Sequence, residues 1–167
     1  MIWKLRIGRW RFTFTMAPLT DVIGVNSNLP DGNHILMWDF DETNFDDVFK
    51  NLLTVQRVYN LPKIYILETK KDTNYIAYCF KRTTWLKVVE IIAFTKGVDW
   101  NYFKYGVYRG NFTLRVGPKC GRKPKLVWTL VSSVPEDCSI KELKSWVRYE
   151  TLEDGQWTKL REVTIKR

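Results

Sequence analysis

The chain has 167 residues, of which 45% are hydrophobic and 27% are charged, so its composition is that of one ordinary globular domain spanning residues 1–167. Lys and Arg outnumber Asp and Glu by 27 to 18, and the resulting net charge of +9 favours a polyanionic partner, with nucleic acid as the leading candidate. Three scattered cysteines argue against a disulfide framework or a four-ligand zinc site and favour a reducing, cytoplasmic location. The sequence contains no apolar run near the ~20 residues that span a bilayer and begins with no secretory signal, so we expect no membrane association.

In the first half of the chain, hydrophobic periodicity and turn residues predict strands around one helix. The predicted elements are a strand or hairpin over residues 3–15, a connecting loop over 18–33, a buried strand over 34–41, a helix from residue 45 to about 59 capped by Thr43 or Asn44, and a hairpin with strands over 63–69 and 74–80.

In the second half, a helix capped by Thr83 or Thr84 is predicted through residue 94, with Leu86, Val89 and Ile92 on its apolar face. The remaining predicted elements are strands over residues 102–116 and 126–134, a helix over 140–149 and a last strand over 157–165. This order predicts an α+β fold, a mixed or antiparallel sheet with helices packed on one face.

Two acidic residues follow an apolar strand and are the best candidates for chemistry. Asp39 and Asp41 are two residues apart, so their side chains point to the same face of the strand. Such carboxylates repel each other unless a cation lies between them, and Mg²⁺ or Mn²⁺ would suit their oxygen ligands. Asp99 is the best placed third carboxylate. The alternative is that the pair only marks the exit of a strand before a capped helix, with no metal.

Taken together, several segments resemble the archaeo-eukaryotic primase superfamily, in particular the primase-polymerases of plasmids and viruses. The segments are ILMWDFDE over residues 35–42, the predicted hairpin, Asp99 and GNFTLRVGPK over residues 110–119, and the resemblance covers residues 33–125. It implies an RRM-like core in which Asp39, Asp41 and Asp99 are catalytic and bind Mg²⁺ or Mn²⁺. Arg115 and Lys119 would face nucleotide or template phosphates.

The resemblance has one departure. The family carries a histidine on the hairpin that contacts the nucleotide phosphates, whereas residues 69–80 contain none and the chain's one histidine is His34. In its place, Lys70, Lys71 or Tyr75 would grip the nucleotide. The function implied is a DNA replication protein of a plasmid or virus, a nucleotidyltransferase with primase or DNA-directed polymerase activity. Its partners would be nucleoside triphosphates, single-stranded or primed DNA, and a helicase or other replication proteins, with RNA left open as the nucleic acid.

The same strand also resembles the opening of haloacid-dehalogenase phosphatases, which read Asp-x-Asp-x-Thr after an apolar strand. That resemblance would make Asp39 the nucleophile, Asp41 the general acid and base, and Thr69 a phosphate-binding residue, with Lys70 or Lys96 stabilising charge. It also implies a parallel sheet of alternating strands and helices. This is the second enzymatic interpretation of the sequence.

A third interpretation is a non-catalytic protein that binds single-stranded nucleic acid. Aromatic residues interleave with cations over residues 100–115, a combination that lets bases stack while phosphates pair with positive charges. The residues we expect to bind nucleic acid are Tyr105, Tyr108 and Arg109 here, and Arg122, Lys123 and Lys125 in the basic loop that follows. The alternatives are that every second ring faces the core and that the basic loop is only solvated.

Overall fold

The computed structural model describes residues 2–15, 19–143 and 145–152. That part of the chain contains three α-helices and nine strands, and the strands form three antiparallel sheets. This confirms the predicted α+β class. The strands are β1 (Ile2–Ile7), β2 (Trp10–Thr15), β3 (Leu19–Asn26), β4 (His34–Phe40), β5 (Ile64–Lys70), β6 (Asn74–Thr83), β7 (Thr113–Arg115), β8 (Lys125–Leu130) and β9 (Trp146–Leu152). The helices are α1 (Phe45–Val58), α2 (Trp85–Phe94) and α3 (Trp100–Arg109).

The largest sheet has four strands in the order β4-β6-β5-β8. Helices α1 and α2 cover one of its faces. The ring of Phe45 in α1 lies 5.8 Å from that of Tyr75 in β6, and the Trp38 indole of β4 donates a hydrogen bond of 2.9 Å to the Thr95 hydroxyl at the end of α2. Since strand side chains alternate between faces, Asp39 points to the opposite face, which the helices leave open.

A three-stranded sheet in the order β7-β3-β9 packs against part of this open face. Val25 of β3 and Leu114 of β7 are buried in the same hydrophobic core as the four-stranded sheet. Helix α3 lies beside the edge strand β4, and the Tyr102 hydroxyl donates a hydrogen bond of 3.0 Å to the Met37 carbonyl oxygen. The cleft between the two sheets therefore begins at the end of β4, where Asp39 lies.

Two predicted elements of this region are wrong. The expected loop over residues 18–33 contains β3, and the expected strand over residues 102–116 is α3 followed by the short β7. Helix α3 forms because the Asp99 carboxylate accepts the Tyr102 amide at its start and Gly110 ends it with a φ of +75°. These end signals outweigh the strand preference of its aromatic residues.

The expected helix over residues 140–149 is also wrong, because this range contains a 3₁₀ turn over Ile140–Glu142 and the start of β9 at Trp146. In α2 the buried residues are Val88, Ile91 and Ile92, whereas Leu86 is 81% exposed. The remaining predictions over residues 34–130 are confirmed in type, including the β5–β6 hairpin and the Asn44 cap of α1. The predicted strand over residues 157–165 lies outside the described residues.

The amino-terminal part of the chain forms the predicted hairpin. Strands β1 and β2 make a sheet of their own, and each side chain described from Leu5 to Phe14 is exposed. Among the helices of the described residues, none has the length and apolar character needed to cross a bilayer.

Candidate functional site

A cavity of about 180 Å³ lies on the open face of the four-stranded sheet, where β4 ends. Five residues predicted by the primase resemblance converge there from distant parts of the sequence: Asp39, Asp41, Lys70, Arg115 and Lys119. Thr69, which the phosphatase resemblance predicted, also lines the cavity, and Asn74 and Thr113 complete its polar lining. A pair of carboxylates therefore faces cations across one small polar space.

Local structure holds the two carboxylates in place. Asp39 is the second last residue of β4, which pairs along its length with β6. Asp41 follows the strand, and its carboxylate accepts a hydrogen bond from the side-chain amide of Asn74, the first residue of β6. The Thr43 amide also donates a hydrogen bond of 2.8 Å to the Thr73 carbonyl oxygen, so the β4 exit is tied to the β5–β6 turn.

The surroundings of the cavity raise the pKa of both carboxyl groups. Removal from water, together with the neighbouring negative charges of Asp41 and Asp99, raises the pKa of Asp39 to about 8, although Arg115 and Lys119 act in the opposite direction. The pKa of Asp41 is also raised, mainly by loss of hydration, against the hydrogen bond from Asn74. These surroundings favour the protonated form of Asp39, and a bound cation would favour the ionised form.

Asp99 lies close to Asp39 and Asp41, and it is also the N-cap residue of α3. Its amide donates a hydrogen bond of 2.9 Å to the Asp39 carbonyl oxygen, and its carboxylate accepts the Tyr102 amide at 2.6 Å as the cap of α3. Asp39 and Asp99 together line a second cavity of about 180 Å³, which adjoins the first. Over the described residues, no three Asp, Glu, His or Cys side chains are grouped to hold a metal ion by themselves.

Arg115 connects the cavity to two neighbouring segments. Its guanidinium donates hydrogen bonds of 2.9 Å to the Thr69 carbonyl oxygen and 3.3 Å to the Arg122 carbonyl oxygen. Because a guanidinium carries further N–H groups, this arrangement still allows Arg115 to meet an anion in the cavity. Lys119 and Arg122 pair through backbone hydrogen bonds, which fold the start of the basic loop into a tight turn.

Several predicted residues lie away from the first cavity. Tyr75 is only 3% exposed and packs on Phe45, because alternation along β6 turns it to the helix-covered face. The structure thus corrects its assignment as a nucleotide-binding residue. Lys71 is exposed in the β5–β6 turn and does not line the cavity. Lys96, named by the phosphatase interpretation, lies after α2 and also does not line it.

The residues expected to bind nucleic acid lie at three places. Tyr105 and Arg109 line the second cavity with Asp99, whereas Tyr108 is 88% exposed on another side of α3. Arg122, Lys123 and Lys125 are exposed in and after the basic loop. The structure therefore brings Tyr105 and Arg109 close to the carboxylates and leaves Tyr108 apart from them.

Sequence reasoning missed two polar residues of the cavity and a group of aromatic ones beside it. Asn74 binds Asp41, and Thr113 lines both cavities. The signal for Asn74 was its position at the start of the strand that pairs with the Asp strand. Tyr65, Tyr78 and Phe80 point to the same face as Asp39, which the strand register would have shown once β4 and β6 were paired.

Fold and site together define an α+β protein with a carboxylate and cation cavity at the end of an antiparallel sheet. Comparison of the chain with protein-family models, curated proteins and solved structures finds no match. Its chemistry must be argued from its own residues.

Proposed function

We propose that this cavity binds the phosphates of a nucleotide together with Mg²⁺ or Mn²⁺, and that the protein is a primase-polymerase-like nucleotidyltransferase acting on single-stranded or primed DNA. One observation carries the proposal: Asp39 and Asp41 converge with Arg115 and Lys119 in one cavity, although the two pairs are far apart in the sequence. Carboxylates beside cations are the groups that metal-assisted phosphoryl transfer uses.

The residues present fit a divalent cation. Mg²⁺ prefers oxygen ligands and is commonly held by one or two carboxylates, with water and substrate phosphates as its other ligands. Asp39 and Asp41 would be those carboxylates. Burial first, and then the negative charges of Asp41 and Asp99, raise the pKa of Asp39, and a bound cation would offset that negative charge. When bound, the ion would act as a Lewis acid on phosphate oxygens. Asp99 would contribute its charge from α3.

The protein's own residues would do the rest of the binding. Arg115 and Lys119 would pair with phosphate oxygens, and Lys70 would neutralise charge at the rim of the cavity. Asn74 would orient Asp41 through its hydrogen bond. Asp39 must lose its proton before it can bind a cation, so nucleotide binding with metal should improve as the pH approaches 8.

A second candidate function is a non-catalytic protein that binds single-stranded nucleic acid. It is favoured by the β5–β6 hairpin, which lacks the histidine that the primase family uses to contact nucleotide phosphates. Asn74 lies near the position expected for that histidine. His34 does not replace that histidine, because it is buried, with its Nδ1 3.0 Å from the Ser27 hydroxyl and its ring against Trp85. A cavity that binds phosphates without transferring them would have the same cations.

The phosphatase interpretation is not favoured. The sheets of the described residues are antiparallel, whereas that family needs parallel strands that alternate with helices. Thr69 uses its hydroxyl to donate a hydrogen bond to the Asn74 carbonyl oxygen.

The deciding experiment measures incorporation of a labelled deoxynucleotide into primed single-stranded DNA, with Mg²⁺ or Mn²⁺, for the wild type, Asp39→Asn and Asp41→Asn. We expect incorporation by the wild type and a loss of at least a hundredfold in both variants. Asp46→Asn, an acidic residue in the first turn of α1, is the matched control and should keep full activity. Binding of DNA without any incorporation would support the non-catalytic function instead.

The proposal extends to the biological setting. A protein of this kind would act inside the cell on plasmid or viral DNA, where a helicase or other replication proteins would supply the single-stranded template. Co-purification of the tagged protein with a helicase or other replication proteins, from cells that replicate the plasmid or virus encoding it, would test this proposal.

A further inference from the structure

A second feature of the cleft is an apolar groove of about 410 Å³ on the open face of the four-stranded sheet. Tyr65 and Leu67 of β5 and Tyr78 and Phe80 of β6 form its floor. The strand register places all four on the same face as Asp39, because Tyr78 pairs with Met37 and Tyr65 pairs with Tyr78. The groove therefore continues the face that carries the carboxylates.

The aromatic floor is arranged for contact with a flat, apolar ligand. The Phe80 ring lies 5.7 Å from that of Tyr65, edge to face, and 6.5 Å from that of Tyr78, within 8° of parallel. Tyr65 and Phe80 are both partly accessible. Leu126 and Ile140 on the rim are 53% and 54% exposed, so apolar surface meets solvent on two sides of the groove.

Positive charge lies along one side of this groove. Arg115 lines both the groove and the carboxylate cavity, and Pro124 of the basic loop also lines the groove. Lys123 precedes Pro124 and is exposed, whereas Lys125 alternates with Leu126 and pairs with Glu68, so its side chain points to the opposite face of the sheet. The aromatic rings suit the bases of a strand, and Arg115 and Lys123 suit its phosphates.

We propose that this groove is a nucleobase-binding site for single-stranded nucleic acid, whose bases stack on Tyr65 and Phe80 while its backbone follows Arg115 and the basic loop. Arg115 lines both this groove and the carboxylate cavity, so a ligand longer than one nucleotide would contact both, which favours a strand over a free nucleotide. The direction of the strand towards Asp39 rests on the proposed function, but stacking in the groove does not.

The experiment measures the affinity of the full chain for a fluorescently labelled single strand of DNA and for a matched strand in which abasic spacers replace the bases. Both are measured in EDTA, so that the carboxylate cavity holds no metal. We expect the wild type to prefer the strand with bases by at least about fivefold, the lower end of what one stacked base contributes. Phe80→Leu and Tyr65→Leu, which keep apolar volume but remove the ring, should each bring this preference towards one.

Trp128→Leu is the matched control, because Trp128 is an aromatic residue of the same sheet that packs against Phe45 and Phe49 on the opposite face. It should keep the wild-type preference. Thermal unfolding of each variant checks that the fold is intact. Tyr65 also donates a hydrogen bond to Glu136, whereas the Phe80 ring has no polar group, so Phe80→Leu tests stacking without the loss of a hydrogen bond.

Three results would overturn the inference. One is equal affinity of the wild type for the two strands, and another is a preference that persists in both groove variants. The third is that Phe80→Leu and Tyr65→Leu weaken the binding of a mononucleotide but keep the preference for the strand with bases, which would show that the groove binds a free nucleotide. None of these results depends on nucleotide incorporation, so failure of the groove and failure of the proposed activity are distinguishable.

Discussion

Arg115 of β7 donates a hydrogen bond of 2.9 Å to the carbonyl oxygen of Thr69 at the end of β5, and this contact joins the three-stranded sheet to the four-stranded sheet. The two residues are 46 positions apart in the chain. Both line the carboxylate cavity. The arginine that the proposal assigns to phosphate binding is therefore also part of the framework that forms the cavity.

This double role predicts the effect of Arg115→Met. The variant loses the donors to Thr69 and Arg122. The Thr69 carbonyl oxygen loses its partner in a part-buried site, which should lower the free energy of unfolding by about 1–3 kcal/mol, whereas the bond to Arg122 is exposed and water can replace it. Urea denaturation measures the change. Arg57→Met, an exposed arginine in the last turn of α1, is the control and should change stability little. Equal stability of the wild type and Arg115→Met would contradict the framework role.

Lys119 tests phosphate binding at the cavity. If it pairs with a backbone phosphate, Lys119→Gln should weaken binding of single-stranded DNA and reduce the slope of log affinity against log salt concentration by about 0.7, the value for one contact with a single strand. Fluorescence anisotropy over a series of salt concentrations gives the slope. Lys87→Gln, in α2 and paired with Glu90, is the matched control. An unchanged slope for Lys119→Gln would remove this residue from the interface.

The raised pKa of Asp39 predicts a pH dependence of stability. This carboxyl has a pKa of about 8 in the folded protein and an ordinary Asp value of about 4 in the unfolded chain. Between these values the folded state binds more protons, so the contribution of Asp39 to stability is complete below about pH 4 and is lost as the pH rises towards 8.

Asp39→Asn removes this dependence. The variant should therefore gain stability relative to the wild type as the pH rises from 5 to 8, which urea denaturation at several pH values and without metal would show. Asp46→Asn provides the comparison on α1. A difference between wild type and Asp39→Asn that stays constant over this range would show that Asp39 is ionised in the folded protein.

Two substitutions of Asp99 separate its cap from its charge. Asp99→Ala removes the acceptor for the Tyr102 amide and should lower the free energy of unfolding by about 0.5–2 kcal/mol. Asp99→Asn keeps an acceptor at the cap, so it should unfold like the wild type while removing a negative charge near Asp39. Mn²⁺ titration of the stable Asn variant then reports the value of that charge for metal binding. Equal destabilisation by both substitutions would contradict the cap assignment.

Gly106 allows α3 to lie against Phe112. A Cβ atom at this position would come within 2.3 Å of the Phe112 ring, so Gly106→Ala should lower the free energy of unfolding by about 1–3 kcal/mol, despite the higher helix propensity of alanine. Urea denaturation gives the value. The double variant Gly106→Ala with Phe112→Leu should be more stable than the sum of the single effects predicts, because the smaller side chain relieves the clash. Additive effects would show that the two residues do not interact.

The sequence predicted the elements whose signals are local. The spacing of Asp39 and Asp41 was sufficient to place both at one strand exit, and the cap and periodicity of α1 were sufficient to place that helix. Helix α3 was missed because its aromatic residues favour strands, while its signals lie at its two ends, Asp99 and Gly110. Its position as a helix depends on packing that Gly106 permits, which no short window of sequence reveals.

The site could be predicted only in part for a similar reason. The family resemblance predicted five of the residues that line the cavity, but it missed Asn74 and Thr113 and assigned Tyr75 to the site by proximity in sequence. In a strand, neighbouring residues point to opposite faces, so Asn74 and Ile76 reach the cavity and Tyr75 does not. The groove of Tyr65, Tyr78 and Phe80 required the pairing of β5 with β6 and the position of β7, which are long-range features.

The walls of the carboxylate cavity come from β4, the β5–β6 hairpin, β7 and the basic loop, so no single segment contains the site. A partly folded chain cannot bind its ligand as the native protein does. Nucleic acid or nucleotide at a hundredfold excess over its dissociation constant would thus add about 2.7 kcal/mol to native stability by mass action. If the cavity binds its ligand as proposed, bound molecules would resist proteolysis better than unbound ones, and the amount of this protein would follow the supply of the ligand.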